Sequence, residues 1–179
     1  MLDESRHAHD LLTGRLSLRR PSPDDIDAIH AIHSDPATCL HNPSDALSKR
    51  EEATELFHRW DDHWQRFGYG YWTVRRQGSD RPLGFCGTKT MDLNGMSVLN
   101  LFYRFETSSW GQGLATEAAT AVVDWVTQRA PELPVIARVR PANTASQRVA
   151  IRAGLVRAAH LDLPGEDGLG WIYAKNLHH

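Results

Sequence analysis

The chain has 179 residues, 41% of them hydrophobic and 23% charged, enough for one well-buried α/β core and short for two. Its net charge of −2 offers no broad basic field for nucleic acid or an anionic membrane, and no apolar run approaches the ~20 residues of a membrane span. The polar amino end MLDESRHAHD does not read as a secretory signal, so a cytoplasmic protein is expected, and two cysteines, Cys39 and Cys86, are too few for a disulfide scaffold or a four-cysteine zinc site and read as reduced and buried.

Residues 1–13 lack pattern and read as a loose arm. Arg15 to Arg20 alternates, with Leu16 and Leu18 pointing one way, and predicts a first strand that Pro21 ends. Ser22 then reads as a helix cap, with Pro23 at the first helical position and Asp24 and Asp25 in the first turn. Ile26, Ile29 and Ile32 supply the buried stripe of that helix. His30 and His33 lie three apart on it and could share a metal, but no pattern supplies a third ligand, so no metal site is assigned. After a Pro- and Asn-containing connection, Ser48 and Glu51 form a capping box for a second helix, whose apolar face is Ala53, Leu56, Phe57, Trp60, Trp64 and Phe67. Tyr69–Arg75, Leu83–Thr90 and Leu99–Phe105 read as three antiparallel strands, with turn signals at Gln77–Asp80 and Asn94-Gly95. Gly84 and Gly87, inside the second of these, mark a bulge or a close backbone approach.

The stretch from Ser109 to Ala118, SWGQGLATEA, joins the last of these strands to a helix with apolar residues at Ala118, Ala121, Val122, Trp125 and Val126. A helix start exposes unpaired amides and partial positive charge, and glycine lets an anion approach the backbone, so this segment has the makings of a phosphate cradle. A nucleoside-triphosphate loop is excluded because no Lys follows either glycine. A dinucleotide fingerprint is a poor match, since Glu106 to Trp110 separate strand from glycines, and Glu132, near the offset of a ribose-binding acid, follows Pro131 in a turn. Beyond the helix, Val135–Arg140 predicts a strand parallel to Leu99–Phe105, Asn143 caps a short helix through Ser146 and Val149 to Gly154, and Leu155–Leu161 and Leu169–Lys175 predict two final strands around the turn Pro164–Gly168. The terminal His178-His179 is set aside.

The string WGQGLATEA resembles the pyrophosphate loop of the GNAT superfamily of acyl-CoA N-acyltransferases, in particular its RimJ/RimL-type branch, with Gly113 and Ala115 at the last two anchors and Trp110 where many members have Gln or Arg. Thr13-Gly14-Arg15-Leu16-Ser17-Leu18-Arg19, Leu101-Phe102-Tyr103, Asn143-Thr144-Ala145-Ser146 and Ala153-Gly154-Leu155 resemble further family segments in the same order, so the likeness covers nearly the whole chain as one domain, 1–179. The resemblance implies a mixed α/β fold with a mostly antiparallel sheet, splayed between its fourth and fifth strands and flanked by helices. It implies acetyl-CoA as co-substrate and a primary amine, a protein amino terminus or a small molecule, as acceptor. Main-chain groups of Tyr103, Arg104 and Phe105 would pair with pantetheine, and Gly111, Gln112, Gly113, Leu114, Ala115 and Thr116 would hold the pyrophosphate. Asn143 would touch pantetheine and Ser146 the sulfur, while Trp60 and Trp64 would lie on the acceptor wall, other determinants falling between Asp35 and Tyr69 and at Pro164–Gly168. Neither metal, nucleic acid nor membrane is implied, and homodimers are common in the family.

The implied chemistry is direct attack of the amine on the thioester. An α-amine of pKa near 8 is already neutral in roughly one molecule in ten at pH 7; Glu106, directly or through water, is the expected base, and burial would have to raise its pKa for the task. Many members protonate the leaving thiolate with a Tyr four residues past the position of Ser146, but that position is Ala150 here, which leaves Ser146 as the substitute or no acid at all. Two other readings stay open. One is a degenerate fold that binds acyl-CoA as a sensor; the other is a thioester-transferring enzyme with Cys39 or Cys86 as nucleophile.

Overall fold

In the computed structural model, which describes residues 10–178, the alternation of Leu16 and Leu18 builds a strand whose leucines are fully buried. Strands β1 (Leu11–Leu12) and β2 (Leu16–Arg19) lead to helix α1 (Ile26–Ser34) and helix α2 (Arg50–Phe67). Strands β3 (Tyr71–Arg76), β4 (Pro82–Leu93) and β5 (Met96–Phe105) follow, then α3 (Leu114–Arg129), β6 (Val135–Val139), α4 (Thr144–Arg152), β7 (Val156–Arg157), β8 (Leu163–Gly165) and β9 (Gly168–Lys175). The sheet runs β1-β2-β3-β4-β5-β6-β9-β7, with β8 on β9. Every pairing is antiparallel except β5 with β6, the geometry expected where a helix, α3, makes the crossover. The expected mixed α/β architecture is what forms.

Several boundaries differ from the expectation. The arm over 1–13 lies outside the described residues as far as position 9, but Leu11 and Leu12 pair with Leu18 and Ser17 as an edge strand. Pro23–Asp25 is a 3₁₀ turn ahead of α1, with the Asp25 carboxylate accepting from the Ser22 N–H at 3.0 Å. Helix α2 starts at Arg50, and Glu52, not Glu51, reaches back to the amides of Ser48 and Lys49 at 2.7 and 3.0 Å. The single strand expected over Leu155–Leu161 is only Val156–Arg157. The Asp162 carboxylate turns the chain there by accepting from the Arg157 guanidinium at 2.6 and 2.5 Å and from the Ile172 N–H at 2.9 Å. The released segment re-enters as β8, which makes a hairpin with β9 through Glu166-Asp167, inside the expected Pro164–Gly168 turn but with its first strand later in the chain than expected.

Apolar residues cover both faces of the sheet. On one, Leu99, Leu101, Trp72 and Val135 meet Ala118, Val122 and Trp125 of α3; on the other, Ile29 of α1 and Phe57 and Trp60 of α2 meet Tyr71 and Phe85. This packing corrects the placing of Trp60 and Trp64 on an acceptor wall. Trp60 sits 5.2 Å from the Tyr71 ring and 5.1 Å from that of Phe85; Trp64 donates its Nε1–H to the Tyr71 carbonyl at 2.9 Å and meets Trp72 edge-on. At 7% and 2% exposed, they are core anchors, as the stripe pattern of α2 allows equally well. Gly87 is the close approach the sequence suggested, since a Cβ there would lie 2.1 Å from the Gly70 carbonyl oxygen.

Candidate active site

β5 and β6 meet at only two register positions, Leu99 with Val135 and Asn100 with Ile136. Beyond them β5 stays with β4 as far as Gly84 with Phe105, while β6 stays with β9 as far as Val139 with Trp171. Because each strand follows its other neighbour, a wedge opens between them. It is a cleft of about 920 Å³ lined by residues 100–105 of β5, 137–139 of β6 with Arg140 just after it, and the start of α4.

The parity of β5 decides which main-chain groups face this gap. The Leu99 N–H reaches the Pro134 carbonyl on the β6 side at 2.8 Å, whereas the Glu106 N–H reaches the Leu83 carbonyl on the β4 side at 2.9 Å. Since alternate residues of a strand point their amides to opposite sides, Leu101, Tyr103 and Phe105 present N–H and C=O to the cleft. Arg104 presents its own to β4, which corrects its expected part in main-chain binding. Its side chain leaves toward the other face, where it bonds the Thr38 carbonyl at 3.2 Å and pairs with Asp45 at 3.0 Å.

At the outer end of the open edge, residues 107–109 make a 3₁₀ turn and Trp110 donates its Nε1–H back to the Phe105 carbonyl at 3.0 Å. Gly111 and Gly113 then take φ of 75° and 74°, a left-handed conformation in which side-chain-bearing residues are strained. α3 starts immediately, and its first bond back to the loop runs from the Glu117 N–H to the Gly113 carbonyl at 3.0 Å. The amides of Leu114, Ala115 and Thr116 therefore have no helical carbonyl to meet. Gly111, Gly113, Leu114, Ala115 and Thr116 line the cleft. Gln112 does not: its carbonyl accepts from Arg15 at 2.9 Å and its side chain from Arg76. Arg15 also pairs with Glu117 at 2.8 Å, so the back of the loop is clasped by the strand beside it. A narrow pantetheine-like arm fits the open β5 edge, and a diphosphate fits the glycine turn, where a missing Cβ and a helix start coincide.

On the opposite wall, Asn143 caps α4 by accepting from the Ser146 N–H at 3.1 Å. Ser146 lines the cleft. The Tyr103 hydroxyl arrives from β5 to donate to the Ser146 carbonyl at 2.8 Å and lies 2.6 Å from its Oγ. Burial pushes the Tyr103 phenol well above its ordinary pKa, against the opposing effect of its bond with Ser146. Strand alternation puts the Tyr103 side chain on the α4 side, but no sequence spacing could pair it with Ser146.

Glu106 is a correction. Its carboxylate is held by Arg81 at 2.5 Å and by the Ser108 hydroxyl at 2.9 Å, and it is not among the residues lining the cleft. The turn that follows β5 swings it away. The cysteines are not placed to act either. Cys86 is fully buried, which pushes its thiol pKa far up, and Cys39, 3% exposed, points its Sγ at the His33 carbonyl. His33 is buried with its Nδ1 at the Ile29 carbonyl, 2.9 Å away, and among the described residues no group of three His, Cys, Asp or Glu side chains could hold a metal ion.

The inner end of the cleft is closed by the loop from Ala37 to Asp45 and the β8–β9 hairpin, which includes the expected Pro164–Gly168 turn. The Asp167 carboxylate ties the two together, accepting from the Ser44 N–H at 3.1 Å and from its hydroxyl at 2.5 Å. His41 lines this end, half-buried and without a hydrogen bond or ion pair among the described residues.

Comparison with known proteins agrees with this fold. YkkB of Bacillus subtilis (strain 168), an uncharacterized protein, is 27% identical over 151 residues, covering 81% of this chain and 84% of its own. An acetyltransferase from Agrobacterium tumefaciens str. C58 shares the fold with a TM-score of 0.78 at 23% identity, over 93% of each chain. A RimL ribosomal alpha-N-protein acetyltransferase in complex with coenzyme A does so with a TM-score of 0.75 at 18% identity, over 92% of this chain and 96% of that one. The family model for the acetyltransferase (GNAT) domain matches residues 15–156, and the chain belongs to that family.

Proposed function

We propose that this protein moves the acetyl group of acetyl-CoA to a primary amine within a ternary complex. One observation carries the reading: the edge of β5 that β6 leaves open at Tyr103 and Phe105, where the Phe105 carbonyl meets only the Trp110 indole, runs into a left-handed glycine turn at a helix start, so a site for an extended amide-bearing arm adjoins a site for a diphosphate. The relative with coenzyme A bound supports the same ligand here. In this reading the amides of Gly113 to Thr116 hold the diphosphate, and Tyr103 and Phe105 pair with pantetheine. An amide on the open edge of β5 also meets the thioester oxygen as negative charge grows on it. Ser146 donates to the departing sulfur. With Glu106 tied to Arg81, deprotonation of the amine falls to water or to His41, a residue type suited to general-base work near neutral pH.

The acceptor is recognised at the end of the cleft walled by the Ala37–Asp45 loop and the β8–β9 hairpin. A screen of thiol release from acetyl-CoA against amino-terminal peptides, polyamines and aminoglycosides tests the proposal, with release expected for at least one class. Tight acetyl-CoA binding with no thiol released for any amine would replace it with the acyl-CoA sensor.

A further inference from the structure

Resting on that reading of the cleft, we propose that Tyr103 is a positioning residue for the transfer. Its hydroxyl holds the Ser146 hydroxyl in place, then swings from the Ser146 carbonyl to the Ser146 Oγ as that hydroxyl turns toward the leaving sulfur.

The Tyr103 oxygen is 2.8 Å from the Ser146 carbonyl and 2.6 Å from the Ser146 Oγ. A carbonyl only accepts, so when the phenol proton lies on the carbonyl, the serine must donate its own proton to the phenol oxygen. Both hydroxyls are then satisfied and neither faces sulfur. When the serine proton turns into the cleft, its Oγ loses nothing if the phenol proton rotates onto it. That rotation is about the phenolic C–O bond alone, since both acceptors are already within hydrogen-bond distance. The vacated carbonyl is not orphaned, because Ser146 lies in the first turn of α4 (Thr144–Arg152), where its C=O accepts from the helix four residues on. The Asn143 cap on the Ser146 amide holds the first turn of α4 in shape.

During the transfer the amine nitrogen forms its bond to the carbonyl carbon, the carbon–sulfur bond breaks with its electron pair going to sulfur, and the proton lost by the amine passes to water or to His41. The thiolate leaves while hydrogen-bonded to Ser146 and takes its proton from solvent. Tyr103 and Ser146 each keep their own proton throughout, which accords with a buried phenol that stays protonated. A chain of two hydroxyls donates more strongly than one, because each bond polarises the next.

The test compares Tyr103→Phe, Ser146→Ala and the double variant in the intact protein, using acetyl-CoA and the amine that releases thiol fastest. Tyr103→Phe should lower kcat roughly tenfold or more, with acetyl-CoA affinity by calorimetry within about twofold, and should have no further effect when Ser146 is already Ala. Unchanged kcat, effects that simply multiply, or a loss matched by lost acetyl-CoA affinity would each overturn the inference. If Tyr103→Phe does not fold, 3-fluorotyrosine at position 103 asks the same question: a more acidic phenol should raise kcat, and an unchanged or lower value overturns the proposal. Absence of any turnover by the wild type removes the transferase reading and this inference together; turnover by the wild type that Tyr103→Phe leaves undiminished removes this inference alone.

Discussion

Lowering the pH from 7 to 5 should destabilise this fold through His33, and the size of the effect follows from where that ring sits. His33 is 2% exposed, packed 5.8 Å from the Trp60 ring and 5.9 Å from that of Phe85. Burial, then the nearby Arg104 charge, lower its pKa from 6.5 to about 4, against the raising effects of its bond to Ile29 and of Asp45. The unfolded chain therefore binds a proton between pH 6.5 and 4 that the folded one refuses, and stability falls as pH falls through that window. At about 1.4 kcal/mol per tenfold, the whole window is worth roughly 3 kcal/mol, of which about 2 is lost by pH 5. The consequence reaches the cleft, because the His33 carbonyl accepts from the Leu47 N–H at 3.0 Å and so anchors the chain just after the Ala37–Asp45 loop that lines it. Denaturant titrations of the wild type and of His33→Asn, whose amide keeps a donor for the Ile29 carbonyl, measure the effect. Between pH 7 and 5 the wild type should lose about 2 kcal/mol more than the variant; parallel curves would refute the reasoning. His63, whose pKa burial also lowers, contributes equally to both proteins and cancels.

Other expectations concern the cleft and its supports. Gly87→Ala should cost several kcal/mol in a denaturant melt, because its Cβ would collide with backbone at 2.1 Å. Gly113→Ala meets only the Arg15 guanidinium at 3.6 Å, yet at φ of 74° it should cost about 1 kcal/mol and weaken acetyl-CoA binding by calorimetry. Arg15→Ala frees the Gln112 carbonyl and leaves Glu117 with its charge unpaired beside the glycine turn; acetyl-CoA affinity should drop several-fold while the acceptor KM holds. Glu106→Gln should retain turnover within about twofold, and a hundredfold loss would return Glu106 to the mechanism.

The parts of the fold set by local pattern were legible from residue types alone. Leu16 and Leu18 announced a strand, the apolar stripe of α2 its buried face, and the glycine turn a helix start with free amides. What the sequence hid depended on side chains meeting over long separations. Trp60 and Trp64 could be read as wall or core, and only the position of β3 and β4 beneath α2 decides it. Glu106 follows the right strand but turns outward because Arg81, from the neighbouring strand's start, is there to take it. The pairing of Tyr103 with Ser146 spans 43 positions, and the Ser44–Asp167 tie spans 123; no periodicity encodes either. Arg104 is instructive in another way, since strand parity becomes readable only once one amide on each side of β5 has a known partner.

Amide resonances followed by NMR during titration with acetyl-CoA test the central claim most directly. The account predicts saturable binding with the largest shifts, and new protection from solvent exchange, at Tyr103, Phe105 and Gly113 to Thr116, while the Arg104 amide, already facing β4, gains no protection. Absence of saturable binding up to millimolar acetyl-CoA, or shifts centred away from the gap between β5 and β6, would contradict it.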